Sequence, residues 1–141
     1  MNVRITKEQK INISHPQDIF EIMRKVLARE NKLSQQKEHF WVIGLATSNK
    51  LSYIELVSLG SISAAIVNPL EVFNLAVQKK SPRIILVHNH PGDSLEPSKA
   101  DMEITKNIVE GGKILQIAVL DHLLITTEGY YSFEEHNVLP K

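Results

Sequence analysis

The spacing of apolar residues predicts that the chain begins with a helix followed by a β-hairpin. After Pro16, an apolar face recurs every three or four residues, and it consists of Ile19, Phe20, Met23, Val26 and Leu27. The polar stretch NKLSQQK, residues 31–37, predicts a loop. Two strand-like runs, FWVIGLA (40–46) and LSYIELVSLGS (51–61), flank the turn-like residues 47–50 and together predict a hairpin.

Local signals of helix ends and of buried strands predict the elements in the second half of the chain. Asn68 as cap and Pro69 at the first helical position predict a helix over 69–79, whose inward residues are Val72, Phe73, Ala76 and Val77. RIILVHNH (83–90) has the unbroken apolar core of a central strand. A third helix opens at Ser98 and is predicted to stop at Gly111-Gly112. Residues 114–126 predict one strand or two strands broken at Asp121-His122, and residues 129–133 predict a turn and a last short strand.

This order of elements predicts the fold class. Helices and strands are mixed without repeats or low-complexity segments, so residues 1–141 are expected to form one domain. The economical arrangement is an α/β (α+β) fold with a single mixed β-sheet sandwiched by helices. Residues 1–14 alternate only in places and predict an edge strand or a flexible arm.

Composition narrows the function classes. The chain has 141 residues, a formal net charge of zero and no cysteine, so it has no thiolate nucleophile, and any metal ligands must be histidines and carboxylates. The absence of cysteine fits the cytoplasm. No run approaches the roughly 20 apolar residues that span a bilayer, and the start is too polar for a signal peptide. Zero net charge gives no support for DNA binding, which would need a local basic patch.

Two histidines and one aspartate have the spacing of a metal site. His88 and His90 stand two apart at the end of the predicted central strand, so both imidazoles can face one ion. Asp101 lies in the first turn of the next helix. Two histidines and one carboxylate leave a fourth tetrahedral position open, which is the composition of a catalytic zinc site. The alternatives are a packed histidine pair and a helix cap formed by Ser98 and Asp101.

The sequence around these residues resembles that of a known family. His88-x-His90, seven residues, Ser98, two residues and Asp101 match the JAMM motif of JAB/MPN-type metalloproteases. ILVHNHPGDSLEPSKADMEIT, LDHLLIT and YYSFEE resemble more narrowly the JAB domain of the RadC family, over roughly residues 15–138. The resemblance implies a JAB/MPN-like (cytidine-deaminase-like) architecture and one Zn²⁺ per chain, held by His88, His90 and Asp101.

The resemblance also implies roles for two further side chains. Glu38, just before the strand at residues 40–46, would be the general base, and Ser98 would hydrogen-bond the oxyanion or the attacking water. From the residues alone, Glu38 reads as a solvated loop carboxylate, and Glu55 is a rival base. Asp121 and His122 are either a pair that orients a ligand imidazole or a structural hydrogen bond. The other histidines, His15, His39 and His136, are expected at the surface or in caps.

The expected function follows from the family. It is a zinc-dependent hydrolase that cleaves a peptide or isopeptide-like amide in a peptide or protein substrate. The alternative is a JAB-fold binding protein of DNA-repair or mobile-element context, with little or no catalysis. Nothing in the sequence corresponds to the helix-hairpin-helix region of full-length RadC proteins, and exposed strand edges would permit a homodimer.

Overall fold

Six strands and four α-helices make up the chain in the computed structural model, which describes residues 1–141. The strands are β1 (Asn2–Val3), β2 (His39–Leu45), β3 (Leu51–Leu59), β4 (Arg83–Asn89), β5 (Ala118–Ile125) and β6 (Tyr130–Ser132). The α-helices are α1 (Pro16–Ala28), α2 (Lys32–Gln35), α3 (Pro69–Lys79) and α4 (Lys99–Leu115). All strands join one sheet in the order β1-β3-β2-β4-β5-β6. The predicted α+β fold with a single mixed sheet is confirmed.

One parallel pair lies within an otherwise antiparallel sheet. β2 pairs with both β3 and β4 in the antiparallel sense, as do β1 with β3 and β5 with β6. β4 and β5 are parallel, and α4 makes the crossover between them. The carboxyl ends of β4 and β5 therefore reach the same edge of the sheet, where ligands of α/β folds usually bind.

Helices cover both faces of the sheet, so the predicted sandwich is confirmed. Because neighbouring residues of a strand point to opposite faces, Trp41 and Val42 belong to different apolar clusters. Trp41 packs in the cluster that contains Ile19 and Met23 of α1. Val42 lies in the cluster that contains the inward faces of α3 and α4.

The predicted end of α4 is wrong. The helix continues through Gly111 and Gly112 to Leu115, and Gln116 ends it in the left-handed conformation with φ 61°. A Cβ at position 112 would lie 2.4 Å from the carbonyl oxygen of Ile117 and 3.3 Å from the ring of Phe73. Glycine is therefore needed here because the helix packs closely against its neighbours. This close packing offsets the loss of stability that glycine causes within a helix.

Smaller predictions also differ from the structure. Residues 31–37 are not all loop, because Asn31 accepts the N–H of Ser34 at 2.8 Å and caps the short helix α2. Val77 was expected to face inward, but it is 53% exposed. β5 is one continuous strand whose register shifts where it passes β4. Residues 2–3 pair with β3, so the N-terminal arm contributes an edge strand.

None of the helices is both long and apolar enough to cross a membrane.

Candidate metal centre

The end of β4 and the start of α4 bring His88, His90 and Asp101 together. Nε2 of His88 lies 3.0 Å from Oδ1 of Asp101, and Nε2 of His90 lies 3.2 Å from Oδ2. The two Nε2 atoms are 2.9 Å apart. All three candidate ligand atoms lie within 4.8 Å of one another. The spacing in the sequence thus becomes a single cluster that could hold a metal ion.

The helix cap and the cluster share one carboxylate. Ser98 Oγ accepts the N–H of Asp101 at 3.1 Å, and Asp101 Oδ2 accepts the N–H of Ser98 at 2.7 Å. This capping box fixes the rotamer of Asp101 in the first turn of α4. The two interpretations of Asp101, cap and candidate ligand, are therefore compatible, because the cap holds the carboxylate where the imidazoles converge.

A chain of buried hydrogen bonds determines which nitrogen of His88 carries a proton. The Thr105 hydroxyl donates to the Asp101 carbonyl at 2.7 Å, so its oxygen can only accept from Nδ1 of His122, 2.5 Å away. Burial lowers the pKa of His122 well below its ordinary value, which makes the ring neutral with its one proton on Nδ1. Nε2 of His122 must then accept from Nδ1 of His88 at 2.9 Å. The neutral His88 ring therefore has its lone pair on Nε2.

His90 is oriented in the same way by a backbone carbonyl. Its Nδ1 lies 2.7 Å from the carbonyl oxygen of Ser94, which can only accept, so Nδ1 carries the proton and Nε2 the lone pair. The Nε2 lone pairs of His88 and His90 and the carboxylate of Asp101 consequently face one another. Three electron-pair donors at such distances repel one another unless a cation or protons lie between them. Two imidazole nitrogens and one carboxylate oxygen are a donor set that fits zinc.

The pKa shifts of His90 and Asp101 also indicate that the cluster favours a positive charge. The hydrogen bond to Asp101 is the main cause that raises the pKa of His90. Burial alone would raise the pKa of Asp101, but hydrogen bonds with His88 and His90 hold that pKa well below its ordinary range. A proton on His90 can thus occupy the place of a metal, and metal binding would displace it.

Glu38 lies on the wall of a cavity beside the cluster. Its Oε2 accepts the N–H of Ile62 at 3.1 Å, and its carbonyl accepts the N–H of Gly60 at 2.8 Å. The second carboxylate oxygen, Oε1, makes no hydrogen bond with the chain. The cavity measures about 310 Å³ and is also lined by His90, Ser98 and Asp101. The negative charge of Glu38 contributes to the raised pKa of His90.

The rival carboxylate, Glu55, lies elsewhere. It is on β3, where it pairs with Asn2 of the edge strand, and its carboxylate is 4.0 Å from the N-terminal amine of Met1. It does not line the cavity that contains Glu38. The structure therefore separates the two alternatives by position.

Asn89, between the two candidate ligands, holds the segment that carries Glu38. The Asn89 side chain is buried on the opposite face of β4, and the residue is only 2% exposed. Its Oδ1 accepts the N–H of His39 at 2.6 Å, and its Nδ2 donates to the carbonyl of Lys37 at 3.0 Å. The side-chain amide of Asn89 thus fixes the backbone on both sides of Glu38, at Lys37 and at His39. No local pattern in the sequence indicates this role, because the partners of Asn89 lie 50 and 52 positions away in the chain.

The expectation for His39 is wrong, because this residue is completely buried. Its ring stacks on Trp41 with centroids 5.0 Å apart, and its Nε2 lies 2.7 Å from a carboxylate oxygen of Glu30. Its Nδ1 lies 2.8 Å from the Lys37 carbonyl. His39 is a polar residue, but the carbonyl beside its Nδ1 and its aromatic neighbour make its burial feasible.

Asp121 and His122 are separated by the alternation of β5. His122 points toward His88, whereas Asp121 turns to the other face and accepts the hydroxyl of Ser132 at 2.5 Å and the N–H of Glu134 at 2.9 Å. Burial raises the pKa of Asp121, although these hydrogen bonds oppose the shift. Asp121 therefore fixes the C-terminal turn, and only His122 reaches the cluster.

The fold and this cluster define the class: an α+β domain with a mixed sheet and a two-histidine, one-carboxylate candidate metal site. A model of the RadC-like JAB domain matches residues 13–138. The chain belongs to the RadC family.

Curated relatives agree with the family model. A UPF0758 protein of Caldanaerobacter subterraneus subsp. tengcongensis is 39% identical over 137 residues, covering 92% of this chain and 57% of the relative. One from Pelodictyon phaeoclathratiforme is 38% identical over 141 residues, covering 99% of this chain and 61% of the relative. One from Methanosarcina mazei is 41% identical over 129 residues, covering 92% of this chain and 54% of the relative. The chain thus spans between 54% and 61% of the length of these relatives.

Proposed function

We propose that the chain is a zinc-dependent hydrolase that cleaves a peptide or isopeptide-like amide and acts in the cytoplasm. The observation that carries the proposal is the convergence of two Nε2 lone pairs and one carboxylate on a single point. A zinc ion held by His88, His90 and Asp101 would supply a Lewis acid for the scissile carbonyl and the attacking water. The absence of cysteine supports a reducing compartment.

Glu38 is the general base in this proposal. Its Oε2 is held by the N–H of Ile62, while Oε1 is not hydrogen-bonded to the chain, and the residue lines the cavity. Such a carboxylate can take a proton from the attacking water and pass it to the leaving amine. The arrangement supports proton transfer, because Oε2 fixes the position of the carboxylate and Oε1 remains free to accept a proton.

Ser98 stabilises the oxyanion that develops when water adds to the amide carbonyl. Its oxygen accepts the N–H of Asp101, so its own O–H proton is not needed for the cap. Since Ser98 lines the cavity that Glu38 lines, the hydroxyl can donate to an oxygen bound there. The same residue thus serves the helix through its lone pair and the substrate through its proton.

Metal analysis and one isosteric variant test the proposal. Protein purified without added zinc should contain about one zinc per chain, and the His88→Ala/His90→Ala variant should contain none. Glu38→Gln should keep the zinc and the bond to Ile62, because an amide oxygen accepts that N–H equally, but should lose hydrolysis of amide substrates. A wild-type protein without zinc, or a fully active Glu38→Gln variant, would contradict the proposal.

A further inference from the structure

A groove of about 660 Å³ shares His90 and Pro91 with the cavity that Glu38 lines. Its floor is the carboxyl ends of β4 and β5, from Asn89 to Pro91 and from Ile125 to Thr127. Its wall is the end of α1 together with α2. The volume lies in the range of ligand sites, about 300–1,000 Å³, and the ends of parallel strands are where such sites form. Because His90 and Pro91 line both spaces, a bound chain can run from the groove to the candidate metal centre.

The wall of this groove is cationic. Three basic side chains line it, Arg24, Lys25 and Lys32, against the single carboxylate of Asp93. Arg24 is 3.6 Å from Glu21, whereas Lys25 and Lys32 form no ion pair with the chain. One oxygen of Asp93, Oδ1, already accepts the hydroxyl of Thr127 at 3.1 Å. The groove therefore offers two unpaired ammonium groups to a ligand that carries negative charge.

We propose that this groove binds an acidic segment of a polypeptide substrate and presents a neighbouring amide at His90. The proposal rests on the proposed amide hydrolase and names its substrate class. Carboxylates of the segment pair with Lys25 and Lys32, and the uncharged amide side chain of Gln36 can donate to and accept from a peptide backbone.

Nucleic acid fits the same groove less well. None of the lining residues is a phenylalanine, tyrosine or tryptophan, so bases have no large stacking platform. Three cations are fewer than the roughly six to ten phosphate contacts of a typical DNA-binding protein. The chain as a whole is neutral and provides no long-range attraction for a polyanion.

Charge reversal in the groove tests the proposal against a matched control. The groove variant is Lys25→Glu/Lys32→Glu, and the control is Lys79→Glu/Lys106→Glu, which changes net charge equally on exposed sites of α3 and α4. Fluorescence anisotropy measures binding of a labelled glutamate-rich decapeptide, its glutamine analogue and a labelled ten-nucleotide thymidine strand at low salt. Metal content is measured for each variant, so that loss of the metal site is recognised separately.

The acidic peptide is expected to bind wild type and control alike, and the groove variant about tenfold more weakly, since two attractions become repulsions. The glutamine peptide should bind at least about tenfold more weakly than the acidic one, and added salt should remove the difference. Equal binding of the two peptides, equal weakening in both variants, or tighter binding of the thymidine strand overturns the proposal. The binding assay needs neither zinc nor turnover, so failure of the proposed hydrolase would appear in metal content and activity instead.

Discussion

Replacing Thr105 by valine should weaken zinc binding although Thr105 is not a candidate ligand. The hydroxyl is completely buried and is the acceptor that holds the proton of His122 on Nδ1. Valine has nearly the same shape, so the change removes a hydrogen bond without opening a cavity. The buried Nδ1–H of His122 then lacks a partner, which costs about 1–3 kcal/mol of folding free energy.

The same change releases the tautomer of His88. Without an acceptor at Nδ1, His122 can place its proton on Nε2, and His88 must then accept at Nδ1 and carry its proton on Nε2. A proton on that nitrogen blocks metal ligation, so zinc affinity should fall by about 10–100-fold, as for other residues that orient a ligand imidazole.

Two measurements and a control separate these effects. Competition with a chromophoric chelator gives the zinc affinity, and urea unfolding of metal-free protein gives the stability. Thr105→Ser keeps the hydroxyl and loses one methyl group, so it should cost about 0.8 kcal/mol of stability and leave zinc affinity within about twofold. If the valine variant binds zinc as tightly as the serine variant, the proposed control of the His88 tautomer is refuted.

Three further predictions concern other contacts. Asn89→Ala should accelerate hydrogen exchange of the amide that follows Glu38 by at least about tenfold, because a buried acceptor is lost, while zinc content stays unchanged; unchanged exchange would show that Asn89 does not hold this segment. Gly44→Ala should lower the unfolding free energy by about 1–3 kcal/mol, since its Cβ would lie 1.9 Å from the ring of Tyr53, and a midpoint equal to wild type in urea would contradict this. Partial burial alone would raise the pKa of Asp18, but hydrogen bonds from the backbone N–H groups of Ser14 and His15 lower it. The ionised Asp18 carboxylate therefore stabilises the fold above the pKa that it has in the unfolded chain, near the ordinary value of 3.8. Asp18→Asn should therefore be about 0.5 kcal/mol less stable at pH 7, and the deficit should disappear as pH falls through the lowered pKa; a deficit independent of pH would exclude this cause.

The elements that could be predicted are those whose signals are local. Pro16 and Pro69 mark helix starts by their own backbone geometry, and both helices begin there. The convergence of His88 and His90 follows from the two-residue period of a strand, which the sequence contains. Local periodicity also predicted the buried runs of β2 and β4, because both of their faces are covered by apolar layers.

The contacts that could not be predicted depend on register between distant segments. Asn89 meets His39 because β2 and β4 pair with one particular register, and no local pattern specifies it. Gly112 reads as a helix stop, yet its lack of a side chain is used for close packing against Phe73. The sequence shows these residues but does not show which distant residues they contact, so their roles become visible only in the folded chain.

The residues at the end of β4 support the proposed hydrolase over an inert metal-bound scaffold. His88 and His90 point to one face and form the candidate metal cluster, which a scaffold would also need. Asn89 points to the other face and fixes the backbone on both sides of Glu38. The Glu38 carboxylate is held by Ile62 through one oxygen and makes no hydrogen bond with the chain through the other, as the proposed general base requires. Because burial of a polar amide is costly unless it is satisfied, the placement of Asn89 supports the proposed role of Glu38 as a base beside the candidate metal site.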